Sequence, residues 1–257
     1  MKEQFKNQII IDGLQYCNWN REIFEDLWRG GLTAVHATLV YWENTEESFK
    51  KIDKWNDLFI QHKDIICHAH NTRDIIEAKK NNKVAIIFGF QNSAPIANDI
   101  FLLEKFFSRG LRFMQLTYNN QTPLAGGCFE PNDSGVSRFG HAVIEEMNRL
   151  GMIVDLSHAG RQTCLDAISL SSKPVAISHA NPQFFHKSIR NIDEEVLKNL
   201  AKKDGFIGLS LYPLHLKNHG DCTLEEFCMM VHQLVGMIGI DHVGIGSDLC
   251  VNWPDEV

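Results

Sequence analysis

The chain has 257 residues, enough for one large core, and its 32 acidic against 25 basic side chains leave a net charge of −7. That balance argues against a general nucleic-acid or anionic-membrane surface. The opening Met-Lys-Glu-Gln-Phe-Lys has no apolar leader-like run, no apolar stretch reaches the roughly 18 residues of a membrane span, and seven cysteines lie scattered without a CxxC pair. Reduced thiols fit this usage better than a disulfide framework, so the expected location is the cytoplasm.

In chain order, short β-branched or aromatic runs predict strands at Ile9–Asp12, Ala34–Tyr41, Val84–Phe90, Phe113–Tyr118, Met152–His158, Val175–His179, Ile207–Leu211 and Val243–Gly246. Most are apolar on both faces, as strands buried from both sides are. Amphipathic helical stretches fall between them, among them Arg21–Arg29, Glu46–His62, Asp99–Arg109 and Arg138–Leu150. Asp193–Lys203 begins with an acidic first turn, and Thr223–Ile238 opens Thr-Leu-Glu-Glu, a capping-box pattern. The first strand is followed by no Gly-rich phosphate loop, since the residues there read Gly13-Leu14-Gln15-Tyr16. This alternation predicts an α/β protein with one (β/α)8 TIM barrel over residues 1–257. The sequence stops at Val257 without room for the closing helix, so the barrel is expected to be incomplete at its C-terminal end.

Catalytic groups of such barrels come from the carboxyl ends of the strands. Two consecutive strands end in the same dipeptide, Ser157-His158 and Ser178-His179, which predicts two imidazoles at one mouth, close enough to share a divalent metal. Asp248, after the last strand, either completes a set suited to zinc, or to iron or manganese, or stays off the metal as a proton shuttle. Gln91, Asn92 and Tyr118 also fall at strand tips. Glu43 reads as a solvated loop carboxylate. Cys67-His68-Ala69-His70 reads as a connection between helices without a paired ligand cluster, and His186, His215, His219 and His232 read as surface residues.

At these residues the chain resembles the membrane (renal-type) dipeptidase family of metal-dependent hydrolases. The similarity is strongest in Leu116-Thr117-Tyr118-Asn119-Asn120-Gln121-Thr122-Pro123 and Gly135-Val136-Ser137-Arg138-Phe139-Gly140. It continues through Asp155-Leu156-Ser157-His158, Ser178-His179 and Arg190-Asn191 to Val243-Gly244-Ile245-Gly246-Ser247-Asp248. The resemblance implies an amidohydrolase-like barrel, a two-zinc site hydrolysing dipeptides, and a homodimer. It places His158 and His179 on one metal, Asp248 in proton transfer, and Arg190 on the substrate carboxylate, a task suited to a guanidinium fork.

The chain departs from the family pattern elsewhere. The first-strand His-x-Asp pair is matched by Leu14 and Tyr16, the bridging glutamate by Gln91, and the substrate-orienting histidine by Tyr118. Leucine cannot ligate, and glutamine has no charge with which to bridge two dications. These replacements argue against a binuclear centre. The expected site holds one divalent metal, zinc before manganese or iron, on His158 and His179, with Gln91, Asp248 or Glu43 completing the shell. Tyr118 and Arg190 would hold the substrate, a small peptide-like or amino-acid-derived amide. The alternative is a non-catalytic barrel that keeps Arg190 and Tyr118 to bind a small carboxylate ligand.

Overall fold

Eight parallel strands follow one another around a nearly closed barrel in the computed structural model, which describes residues 7–251. The opening hexapeptide and Val257, on which two expectations above rest, lie outside the described residues. The barrel strands are β1 (Ile11–Gln15), β2 (Ala34–Val40), β4 (Val84–Phe90), β5 (Leu111–Gln115), β6 (Ile153–Asp155), β7 (Ala176–Ala180), β8 (Phe206–Leu209) and β9 (Val243–Ile245). The closure between β9 and β1 includes a parallel bridge from Gln15 to Leu249 and a hydrogen bond from Asp248 N to Leu14 O of 3.0 Å.

A ninth strand, β3 (Ile66–His68), corrects the expectation that Cys67–His70 merely connects helices. β5 pairs with β4 only from Phe88 onward, which leaves the first residues of β4 with an open edge. β3 covers it, pairing Ile66 with Val84 and His68 with Ile86. The His68 ring packs 4.0 Å from Phe88 and 5.0 Å from Phe59, centroid to centroid, as part of the wall beneath the barrel rather than of its mouth.

Eight helices lie between the strands: α1 (Arg21–Gly30), α2 (Thr45–Gln61), α3 (Thr72–Lys80), α4 (Phe101–Ser108), α5 (Arg138–Leu150), α6 (Arg161–Leu170), α7 (Glu194–Lys202) and α8 (Leu224–Ile238). Local chemistry explains several of their ends. Ser137 caps α5 by accepting from Gly140 N, and Gly151 closes it at a φ of +79°, where a side chain would be strained. The Thr223 capping box exists as read, with Glu226 Oε2 accepting in return from Thr223 N. Each helix turns an apolar stripe inward; α7 buries Val196, Leu197 and Leu200, at about 1.5–3 kcal/mol for each such side chain. Among the described residues no helix follows β9, and no helix is long and apolar enough to cross a membrane.

Every residue of β2 and β4 is buried. Inside the barrel, glycine lets polar groups approach one another. A side chain at Gly246 would lie 1.7 Å from Ser178 O, and one at Gly208 would lie 2.1 Å from it, so neither position tolerates a Cβ. The Ser178-His179 segment reaches the centre of the mouth through that space.

Candidate active site

His179 lies within β7, one residue before its end, whereas His158 lies three residues beyond β6 at a φ of +66°. The expectation of equivalent strand-tip positions is corrected in that detail. Asp155 ends β6 by accepting hydrogen bonds from Ser157 N and Ser157 Oγ at 3.0 and 2.9 Å, and this turn carries His158 back over the barrel axis. The two Nε2 atoms are 2.9 Å apart.

The partners of the other ring nitrogens fix what those Nε2 atoms are. His158 Nδ1 lies 2.6 Å from Asn119 Oδ1, an acceptor, so it carries the proton. Ser178 Oγ donates to Asp155 Oδ2 at 2.5 Å, and His179 Nδ1, 2.8 Å from the same hydroxyl, is left to donate to it. Both Nε2 lone pairs therefore converge, an arrangement that repels unless a cation lies between them. Burial, reinforced by the Arg190 guanidinium, holds both imidazoles far below their ordinary pKa and keeps them in the neutral form a metal requires. The pair fits one divalent ion.

The neighbouring strand ends present neutral side chains. Among the described residues no third His, Cys, Asp or Glu joins the pair. Leu14 is fully buried and packs in one apolar cluster with Tyr16 and Tyr41, against which Tyr118 lies. The rings of Tyr16 and Tyr41 meet edge to face at 6.3 Å, and those of Tyr41 and Tyr118 at 6.1 Å. Burial pushes the Tyr118 phenol up to about 12 and the other two higher still, so all three remain protonated. Gln91 faces the same cavity as His158; its Nε2 donates to Thr38 Oγ1 at 2.8 Å, which leaves the carbonyl oxygen as its available ligand atom. Glu43 is buried rather than solvated. It accepts from Tyr41 N at 2.7 Å and Trp42 N at 3.0 Å and pairs with Lys51, so it holds the loop after β2 and does not line the cavity.

Asp248 lies three residues beyond β9 at a φ of +58° and lines the same cavity of about 250 Å³. Burial raises its carboxyl to about 7, against the lowering effect of Arg190 and of Ser210, whose hydroxyl lies 3.5 Å away. Arg190, 7% exposed, donates from Nη2 to His179 O at 3.2 Å, and among the described residues no carboxylate lies within ion-pair reach of it. The reading of His215 as a surface residue is corrected. It is buried, with Nδ1 2.9 Å from Ser210 Oγ and 3.9 Å from Asp248 Oδ2, and burial followed by the Arg190 charge lowers its pKa to about 2.

Two buried carboxylates escaped the sequence reading altogether. Asp155 accepts from Ser178 N and Ser178 Oγ at 3.0 and 2.5 Å, and Asp12 accepts from Ser247 N and Ser247 Oγ at 2.7 and 2.5 Å. Each grips the serine that immediately precedes a candidate site residue, His179 in one case and Asp248 in the other. The available signal was the repeated Ser-His, Ser-His and Ser-Asp at the strand ends; nothing in the spacing showed which aspartates the serines meet.

Comparison with known proteins agrees with this fold. The family model for membrane dipeptidase (peptidase family M19) matches residues 20–253. A dipeptidase of Claviceps purpurea, tcpJ, is 30% identical over 212 residues, 81% of this chain and 50% of that protein. An uncharacterized dipeptidase of Schizosaccharomyces pombe is 29% identical over 209 residues, 79% of this chain and 50% of that protein. The chain thus spans about half the length of the curated relatives it matches. An amidohydrolase from Pseudomonas aeruginosa superposes with a TM-score of 0.96 at 35% identity, covering 99% of this chain and 78% of that one. A metallo peptidase from Rhodobacter sphaeroides, liganded with a phosphinate mimic of the dipeptide L-Ala-D-Ala, shares the fold at a TM-score of 0.83 and 18% identity, over 94% of this chain and 86% of that one. With its family model matched over nearly the whole barrel, the chain belongs to the membrane dipeptidase family, peptidase family M19.

Proposed function

We propose that this protein is a mononuclear metal-dependent hydrolase of a small, carboxylate-bearing amide. The observation that carries the reading is the convergence of two neutral imidazoles, Nε2 to Nε2, each with its Nδ1 proton committed to a neighbour. His158 and His179 would hold the ion, with Gln91 Oε1 and water as further ligands. A divalent ion there, zinc before manganese or iron, would supply Lewis acidity for amide hydrolysis.

The chain's own groups supply the rest. Arg190 presents a buried, unpaired guanidinium, suited to a substrate carboxylate. Asp248, with its pKa near the working pH, takes a proton from the nucleophilic water and returns it to the leaving nitrogen. Tyr118, a neutral phenol over the His158 ring at 4.4 Å, orients the scissile carbonyl by hydrogen bonding. We place the protein in the cytoplasm, where its seven free thiols persist, and infer a homodimer from its family.

A second reading is a barrel that binds a small carboxylate ligand without turning it over. It is favoured by the apolar burial of Leu14 and Tyr16. The test is hydrolysis of a panel of dipeptides and N-acyl amino acids by zinc- or manganese-loaded protein beside His179→Ala. The hydrolase reading expects turnover that the variant loses entirely. Carboxylate binding without turnover under either metal overturns it in favour of the second reading.

A further inference from the structure

All four tyrosines of the chain, Tyr16, Tyr41, Tyr118 and Tyr212, line the one cavity that holds His158, Arg190 and Asp248. They are not arranged as an open cage of ring faces around a cation. Tyr16, Tyr41 and Tyr118 meet edge to face and merge below into the fully buried Leu14, forming a shelf continuous with the apolar interior. The outer face of Tyr41 is already occupied by Lys51 Nζ, 5.8 Å from the ring centroid.

The rim continues this apolar character. Phe129, Ile189 and Leu214 line the cavity while remaining 50%, 61% and 55% exposed, and Trp42, also exposed, packs its ring 5.0 Å from that of Tyr118. Large apolar side chains left in solvent around a cavity mark a surface that a ligand covers. Two charged side chains complete the lining. Arg190 is anchored to β7, which stands four strands from β2 in the order around the barrel, and β2 leads directly into Tyr41. Among the described residues that line the cavity Asp248 is the one carboxylate; it lies beside Ser210 and His215 and borders the shelf, its backbone N donating to Leu14 O at 3.0 Å.

A free dipeptide carries an ammonium as well as a carboxylate. Its carboxylate meets Arg190, but on the shelf its ammonium would meet phenols and the uncharged Gln91, with Asp248, the group that carries the proton, as the one carboxylate beside it. Burying an ammonium against phenols is costly, and pairing it with Asp248 would take that carboxyl from proton transfer, while an apolar acyl group gains from the same surface. A cavity of about 250 Å³ lies just below the range for drug-sized ligands and suits a molecule of dipeptide size.

We propose that the substrates are N-acyl amino acids, in which the carboxylate lies on Arg190 and an uncharged, apolar or aromatic acyl group lies on the tyrosine shelf, so that the free α-ammonium of a dipeptide is selected against. The inference rests on the amide-hydrolase reading for what happens to the ligand, but it is a statement about binding and is tested as one.

Phenylalanyl-alanine and 3-phenylpropanoyl-alanine differ only in the ammonium, and both are titrated calorimetrically into the full chain, metal-free and zinc-loaded. The expected result is at least tenfold tighter binding of 3-phenylpropanoyl-alanine. The ratio should narrow when a carboxylate is introduced by Tyr16→Asp or, independently, by Gln91→Glu, the second variant serving if the first does not fold. Equal or tighter binding of phenylalanyl-alanine, binding of neither ligand below millimolar concentration, or a ratio unchanged in the folded variants overturns the proposal. If the preference holds and zinc-loaded protein cleaves neither compound, the hydrolase reading fails and the ligand class stands.

Discussion

The two sides of the barrel mouth have different chemistry on the same scaffold. On the side built by β1, β2 and β4, the residues immediately after the strands are Tyr16, Tyr41 and Gln91, all neutral and buried. On the side built by β6, β7 and β9 lie His158, His179 and Asp248, with Arg190 hydrogen-bonded to His179 O and lining the same cavity as His158 and Asp248. The difference extends to the supporting residues. Asp155, and Asp12 reaching across from β1, hold the second side in place through serines, whereas Leu14 ties the first side into an apolar cluster. A barrel of this kind keeps its backbone while half of its mouth exchanges charge for apolar surface, because each strand end contributes its side chain independently.

Placing carboxylates and an imidazole on the neutral side should abolish the contrast between the two sides. The triple variant Leu14→His, Tyr16→Asp, Gln91→Glu is expected to take up a second metal, measured as metal per chain after dialysis. If it binds no more than the parent, something other than these three side chains limits the site. Next in size is Arg190→Ala, expected to cost about 2–5 kcal/mol in binding carboxylate-bearing ligands, since it leaves their charge without a partner. A calorimetric affinity equal to the parent's would remove Arg190 from the carboxylate role.

Smaller effects separate the two aspartate–serine grips. Asp155→Asn weakens the acceptor behind Ser178 and His179 and is expected to lower zinc affinity about 10- to 100-fold. Asp12→Asn should leave zinc affinity unchanged and lower kcat, because the serine it holds precedes Asp248 rather than a ligand. Equal zinc affinities for the two variants would mean that the grips are not specific to their neighbours.

The smallest effect concerns stability and pH. Asp248 titrates at about 7 in the fold, against about 3.9 in an unfolded chain. Between those values the folded state holds a proton that the unfolded state has released, so this group's contribution to stability falls as pH rises and is fully lost above about 7. Asp248→Asn should therefore raise the urea midpoint of the metal-free protein at pH 8 and leave it nearly unchanged at pH 4. An equal change at both values would show that the carboxyl is not raised.

Much of the barrel was legible because buried parallel strands announce themselves as apolar runs and capped helices as Ser, Thr or Asp before acidic turns. Arg138–Leu150 forms as α5 with the bounds read from the sequence, and Asp193 and Thr223 cap α7 and α8. β3 was missed because three residues that cover an exposed edge need no apolar period of their own. The histidine pair was legible from its repeated dipeptide, although the turn that brings His158 inward depends on the Asp155 side chain rather than on strand length. His215 was not legible at all. It follows Pro213 in a short turn after β8, and only the meeting of that turn with Ser210 and Asp248 buries it.

We propose above all that the mouth holds one metal, on His158 and His179. Elemental analysis of the full chain after saturation with zinc and exhaustive dialysis tests this most directly, with His158→Ala as the control. One zinc per chain, lost in the variant, is the predicted result. Two per chain, or none, or one that survives His158→Ala, would contradict it.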